Sequence, residues 1–429
     1  MTRPQFHFTA QTGWINDPHA ITPRDGGYDV FYQYVPGRTE WAPNCHWGHA
    51  RGRDLFSLAE RPPAILPGDG DAGIWTGSLV EGPDGTRVLY TSVSDDDIVI
   101  GRVRIARPLD ADWETWAKGS VVIEAPPGLD LVGFRDPFLR RDPDAWRAFL
   151  GAGDTGGDAL ALSYVSHDLE HWTYEGVALA RSSRERDPVW MGALWECPQI
   201  FDLDGRHVML SSAWDANVLN YAGYAIGRYE AGVFTPEAWG RMSYGVSCYY
   251  APSFFRDAEG RAAMTLWMRG VDDVEAGWAG AHSIPFVLSL DGDALVAAPH
   301  PDLDGYRVPA DQASIDGLAA DVLWEGSGSL SVTSGGSALF HIEARDHRVV
   351  VTIGDRASEL PRASAPVRVV IDANALEVVT DRGIFGSAIP VLGDTLAISG
   401  EGVQAFALAH PRPHERSQVD VIETFASGA

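Results

Sequence analysis

The sequence predicts an all-β protein in two parts, a five-bladed β-propeller followed by a C-terminal β-sandwich. Three observations predict it: a turn signal recurring at a near-constant interval, a β-type run after each turn, and an alternating apolar–polar pattern in the last third. The turns are Asp25-Gly26-Gly27, Pro83-Asp84-Gly85, Asp142-Pro143-Asp144-Ala145, Asp204-Gly205 and Glu259-Gly260. Measured between Gly26, Gly85, Ala145, Gly205 and Gly260, the intervals are 59, 60, 60 and 55 residues. The runs after them are Tyr28–Tyr34, Arg87–Val93, Trp146–Leu150, His207–Trp214 and Ala262–Met268, all rich in β-branched and aromatic residues. Units of this length, each with several short strands, suit blades repeated around an axis.

The segment before each turn repeats as well. Asp17-Pro18, Asp136-Pro137, Glu196-Cys197-Pro198 and Ala251-Pro252 precede the first, third, fourth and fifth turns, and the first residue of each lies 9 ahead of its marker. The second unit carries Gly77-Ser78 near that place. Asp54-Leu55 and Asp168-Leu169 form another echo, and Ser166–Trp172 reads as a hairpin turn. If equivalent positions on the first strands face one axis, Asp17, Asp136 and Glu196 converge although 119 and 60 residues separate them. We therefore expect the propeller over residues 1–295, a Pro-containing linker over 296–312, and the sandwich over 313–429. Sandwich strands are expected at Ser329–Thr333, Ala338–Glu343, Arg348–Ile353, Val367–Ile371, Leu376–Thr380 and Thr395–Ser399. At most one helical turn is expected, within Ala313–Val322.

Composition narrows the function. The chain has 429 residues, with 33 Lys+Arg against 59 Asp+Glu, a net charge of −26. That field repels phosphate backbones and anionic lipid, so nucleic acid and membrane are poor partners. At 45% hydrophobic and 21% charged the chain is globular. Cys45, Cys197 and Cys248 are too few for a disulfide framework and read as reduced thiols. The first twenty residues lack the apolar core of a signal peptide, and the expectation is a cytoplasmic protein. Cys45, His46 and His49 lack the paired spacing of a metal site, so neither metal nor cofactor is expected. No G-x-G-x-x-G run leads from a strand into a helix, and no nucleophile elbow is present.

Acids sharing one substrate bond are the equipment of glycoside hydrolysis: one ionised, to attack or stabilise the sugar cation, one protonated, to release the leaving oxygen. Asn16 beside Asp17 can donate to a carboxylate and keep it ionised. Arg135 beside Asp136 is expected to do the same. Trp195 and Cys197 around Glu196 make an apolar setting that suits a general acid.

Trp14-Ile15-Asn16-Asp17-Pro18, Phe134-Arg135-Asp136-Pro137 and Trp195-Glu196-Cys197-Pro198 resemble the three signature blocks of glycoside hydrolase family 32, the invertases, inulinases, levanases and related fructosyltransferases. The resemblance extends to Phe31–Tyr34, Trp47–Ala50, Trp75–Ser78 and Leu266–Met268, and, at the far end, to Val369–Val378. It implies a retaining mechanism on a terminal β-D-fructofuranosyl residue of sucrose or short fructans. Asp17 would be the nucleophile, Glu196 the acid and then the base, and Asp136 the stabiliser of the transition state. Asn16, Gln33, Trp41, Trp75, Thr76, Ser78, Arg135 and Trp267 match positions that shape the sugar pocket. A fructosyltransferase, intramolecular and anhydride-forming cases included, would use the same three acids.

Two departures stand out. His19 and Ala20 replace the family's Asn-Gly after Asp17-Pro18, which brings a ring that could alter charge near neutral pH. Cys248-Tyr249-Tyr250-Ala251 stands where Asp-Phe-Tyr-Ala is common, with a thiol in place of a carboxylate. That exchange points to an unusual fructoside or to transfer, unless Ser247 or Tyr250 compensates.

Overall fold

A computed structural model describes residues 3–245 and 248–410. They are all-β: among them the one helix is a short 3-10 segment, Pro301–Tyr306, and none is long and apolar enough to cross a membrane.

Each predicted run is the second strand of a four-stranded antiparallel unit. The second unit pairs Gly73–Gly82, Gly85–Val93, Arg102–Pro108 and Trp116–Ile123 in chain order. The third runs from Leu131–Arg141 to Thr173–Ser182 and the fourth from Leu194–Leu203 to Val233–Arg241. The first unit, from Gly13–Arg24 to Ala59–Ile65, and the fifth, from Tyr249–Arg256 to Ala294–Pro299, are joined in one sheet. The join is the short strand Trp278–His282, which pairs antiparallel with Ala262–Asp273 and parallel with the first strand, Gly13 opposite Trp278. The first strand of each unit touches the first strand of the next, and the fifth touches the first, so these inner strands close a ring.

The apolar cores lie between units. Phe31 and Trp47 of the first unit pack with Ile74, Val88 and Tyr90 of the second. Leu89 and Ile105 of the second pack with Phe134 and Leu150 of the third, and Phe149 of the third with Trp195 and Met209 of the fourth. Each sheet thus buries both faces against neighbours, which is why the second strands read as near-continuous apolar runs rather than alternating ones. Two glycines allow the closest approaches. A Cβ on Gly151 would stand 2.2 Å from the Trp195 carbonyl, and one on Gly280, whose φ is +85°, 2.1 Å from that of Ile15.

Beyond the ring, Ser329–Ser334, Ser337–Arg345, Arg348–Ile353, Arg356–Pro361, Thr395–Gly400 and Ile315–Asp316 form a six-stranded sheet. A seven-stranded sheet holds Val367–Asp372, Ala375–Thr380, Gly383–Ala388, Ala319–Trp324, Val403–Leu408, Arg307–Pro309 and, from the ring side, Ser243–Tyr244. One core that includes Trp324, Val332, Ile342, Val369 and Phe385 lies between the two sheets. The other face of the seven-stranded sheet contributes Val370, Val379 and Ile384 to the core that also holds Met264 and Phe286 of the fifth unit.

Three expectations need correction. Residues 296–299 are not linker but the end of the fifth unit's last strand, held by Phe286–Asp291. The helical turn lies at Pro301–Tyr306 instead of within Ala313–Val322, because Pro301 opens it and the His300 side chain caps it at Asp302 N. Residues 315–316 and 319–324 are strands. The last stretch expected in the sandwich, 411–429, lies outside the described residues, as does Ser247.

Candidate active site

Every inner strand carries a β-bulge at the same height. Asn16-Asp17 stand opposite Gln33, Asp136-Pro137 opposite Leu150, Cys197-Pro198 opposite Ser211 and Ala251-Pro252 opposite Leu266, while Thr76 is an extra residue between Trp75 and Gly77. Asp136, Cys197 and Ala251 take positive φ there (62°, 51° and 46°), an uncommon conformation for residues with a Cβ. The three acids are therefore not strictly equivalent, as the shared 9-residue offset implied. Glu196 precedes its bulge, Asp136 opens one and Asp17 closes one. From these three different places relative to the bulges, the side chains enter one space from three strands.

That space is tightly bonded. Asn16 Nδ2 donates to Asp17 Oδ1 at 3.1 Å, and Gln33 Nε2 and Thr76 Oγ1 donate to Oδ2 at 2.9 and 2.7 Å. Cys197 N donates to Asp136 Oδ2 at 3.0 Å, and its Sγ lies 3.7 Å from that oxygen and 3.8 Å from Asp17 Oδ2. One thiol hydrogen is thus offered to two carboxylates. Arg135 donates from Nε and Nη2 to Glu196 Oε1, at 3.1 and 2.6 Å, and the Tyr250 hydroxyl donates to Oε2.

The electrostatics differ from the sequence reading. Arg135 spends its hydrogen bonds on Glu196, not on Asp136, and Glu196 sits among donors rather than in an apolar setting. Burial raises the Asp136 pKa to about 7 against the pull of Arg135, with Glu196 and Asp17 adding repulsion. Burial likewise raises Asp17 to about 6 although Thr76 donates to it and Arg135 is near, so its polar neighbours do not keep it at an ordinary value. Both side chains are nearly sealed, while Glu196 keeps 17% of its side chain exposed and so faces the mouth.

The pocket residues divide. Asn16, Gln33, Thr76 and Arg135 join the acids directly, as above. Trp75 is buried and its Nε1 donates to Pro43 O, while Trp41, 43% exposed, meets it edge-on at 5.9 Å. Trp267 is buried edge-on against Trp14 at 5.4 Å. Ser78 does not join: its hydroxyl donates to Pro137 O and accepts from Leu139 N, bracing the neighbouring strand. It lines a cavity of about 280 Å³ together with His19, Gln199 and Phe255, and Asp136 and Cys197 also border that cavity. His19 is buried against Trp47 at 4.4 Å, and burial lowers its pKa to about 3, so it brings no charge near neutral pH. Cys248 lies in the core shared with the seven-stranded sheet, where burial pushes its thiol up, and not among the acids.

Tyr250 and the Cys197 thiol are site groups that motif reading undervalued. The signal for Tyr250 was its place directly before Ala251, as Glu196 directly precedes Cys197.

Comparison with known proteins agrees with this geometry. Residues 7–299 match the profile of the glycosyl hydrolases family 32 N-terminal domain. A sucrose-6-phosphate hydrolase of Zymomonas mobilis is 29% identical over 71% of this chain and 63% of its own length. A cell wall β-fructofuranosidase of Zea mays is 31% identical over 81% of this chain and 65% of its own. The chain thus spans a little under two thirds of these relatives. Among solved structures, a Bombyx mori β-fructofuranosidase superposes with a TM-score of 0.81 at 24% identity, over 95% of this chain and 94% of the other. A fructan 1-exohydrolase of Cichorium intybus does so at 0.77 and 21%, over 95% and 97%; at these identities the likeness speaks for the fold. With most of its length matched by the family profile, this chain belongs to glycoside hydrolase family 32.

Proposed function

We propose that this chain is a retaining β-fructofuranosidase that releases the terminal β-D-fructofuranosyl residue of sucrose or short fructans, on a five-bladed propeller backed by a sandwich. The observation that carries the reading is the meeting of Asp17, Asp136 and Glu196 from three separate units around the Cys197 thiol and the Arg135 guanidinium. The closed ring of inner strands supports the propeller, and the two sheets sharing one core support the sandwich.

In the first step an Asp17 oxygen forms a bond to the anomeric carbon while the glycosidic C–O bond breaks. Glu196, the acid nearest the mouth, hands its proton to the leaving oxygen. Asp136, held by Cys197 N, keeps a carboxylate against the positive charge that grows on the ring. In the second step Glu196 takes a proton from water, the oxygen bonds to the anomeric carbon, and Asp17 departs as a carboxylate. Asn16, Gln33 and Thr76 aim Asp17, and Trp41 and Trp75 offer faces to the C–H side of the sugar.

The test is a panel of sucrose, sucrose 6-phosphate (the substrate in some relatives' names), kestose, inulin and levan, followed by nuclear magnetic resonance during turnover. Free fructose should appear first as the β-furanose. The α-furanose as first product, or no fructose from any member, sinks the reading. Fructosylated sugars as the main product would make the chain a transferase.

A further inference from the structure

Arg269 lies on the second strand of the fifth unit and makes no ion pair among the described residues, in a chain where acids outnumber bases. Its nitrogens are held by backbone carbonyls instead: Nε by Cys248 O at 3.4 Å, Nη1 by Leu219 O at 2.8 Å and Nη2 by Asn220 O at 3.1 Å. Its own N–H donates to the same Cys248 carbonyl at 2.8 Å, two residues ahead of Tyr250. The guanidinium carbon stands 5.1 Å from the Tyr250 ring centroid and 6.0 Å from that of Trp267. The Tyr250 hydroxyl, in turn, donates to Glu196 Oε2.

We propose that Arg269 is a positioning residue for Glu196, acting through Tyr250: it clamps the fifth unit to the fourth-unit hairpin and holds the phenol so that its hydroxyl stays on Glu196. A cation over the ring draws electron density from the phenol and strengthens its hydroxyl as a donor. A half-buried guanidinium held only by backbone carbonyls carries an uncommon cost unless the site uses it, and partial burial does lower the pKa of Arg269. The charged and titratable groups facing Glu196 are Arg135 and Asp136 from the third unit, Asp17 from the first, Cys197 on its own strand, and Tyr250 and Arg269 from the fifth. Removing Arg269 takes away the cation beside the phenol and frees Tyr250 to drift, which weakens the hydrogen bond its hydroxyl donates to Glu196.

The proposal rests on the reading of Glu196 as general acid, but its test does not need turnover. The carboxyl stretch of Glu196 is titrated by difference infrared spectroscopy, with E196Q as the reference. In R269Q the titration midpoint should rise by about half a pH unit or more, and in Y250F likewise. In the double variant the rise should fall short of the sum, since both act through one hydrogen bond. Where a fructoside is cleaved, the alkaline limb of the pH–rate profile should move the same way. Should R269Q fail to fold, R269K takes its place: it keeps the charge and loses the fork, so a smaller rise is expected. A midpoint unmoved in a folded Arg269 variant, or strictly additive shifts, overturns the proposal. A wild type that cleaves no fructoside sinks only the earlier reading, and the infrared midpoint still decides this one.

Discussion

Two buried acidic clusters serve opposite ends. At the ring, Asp17, Asp136 and Glu196 crowd around one guanidinium, that of Arg135, which bonds Glu196 alone of the three. Where the N-terminal segment meets the seven-stranded sheet, Asp372 accepts from the backbone N–H of Gln5, Phe6 and His7 at 2.7–3.0 Å and from His7 Nδ1 at 3.0 Å, and Glu377 lies 3.6 Å from His7 Nε2. Burial opposes charge on the His7 ring, but the two carboxylates outweigh it and raise its pKa to about 9. In the second cluster donors converge on Asp372 and the charge is locked. In the first, Asp17 and Asp136 are left short of compensation and titrate near neutrality. The shortfall falls on Asp17 and Asp136 at the reactive cluster, whereas at the structural one Asp372 is compensated and Glu377 carries the deficit, with no hydrogen bond to either oxygen among the described residues.

The sharpest way to break this contrast is Asp17→Asn. It should cost about 10⁴-fold or more in kcat, as loss of a nucleophile does, yet stabilise the fold at pH 8. The sign follows from the raised pKa: the folded state holds this proton more tightly than the unfolded one, so stability falls as pH rises from about 4 through 6, and the Asn variant escapes that loss. A melting temperature at pH 8 below that of wild type would refute the shortfall. Next is Glu196→Gln, expected to lose about 10²–10⁴-fold on sucrose and less on a fructoside with an activated leaving group. Equal losses on both would remove Glu196 from the acid role.

The opposite behaviour is expected at the compensated cluster. Asp372→Asn should leave kcat close to normal but cost about 3–5 kcal/mol in urea unfolding, by stranding His7. His7, with a folded pKa above its unfolded value, contributes fully below pH ~6.5, and its contribution is lost as pH rises through about 9. An unfolding free energy flat between pH 7 and 10 would count against a charged His7. The smallest effect belongs to Cys248→Ser, which should leave the ranking of substrates unchanged because the thiol lies away from the acids. A changed ranking would restore the specificity role that the sequence suggested.

Much of this was legible in the chain. Turn spacing located the second strand of every unit, since a tight turn needs particular residues at particular offsets. Motif spacing brought out the three acids. The bulges were not legible: an extra residue breaks the two-residue period on which strand reading depends, so the stagger of Asp17, Asp136 and Glu196 was missed. Neither was the direction of Arg135, because a neighbour in sequence need not be a partner in space. Pairings such as His7 with Asp372, 365 residues away, leave no local trace. Ala319–Trp324 and Val403–Leu408 escaped notice as well, their outlines drawn by partners such as Val367–Asp372 rather than by their own turns.

The strand Trp278–His282 closes the ring beside Trp14, and the His282 ring meets the Asn16 carbonyl at 3.0 Å. The strand that presents Asp17 therefore gains one of its two flanking partners only after some 260 further residues have been synthesised. A chain truncated before that point would carry all three acids and the side chains that bond Asp17, yet lack the strand that flanks Gly13 and Trp14. Closing the circle, last piece against first, thus waits on the second half of the fifth unit.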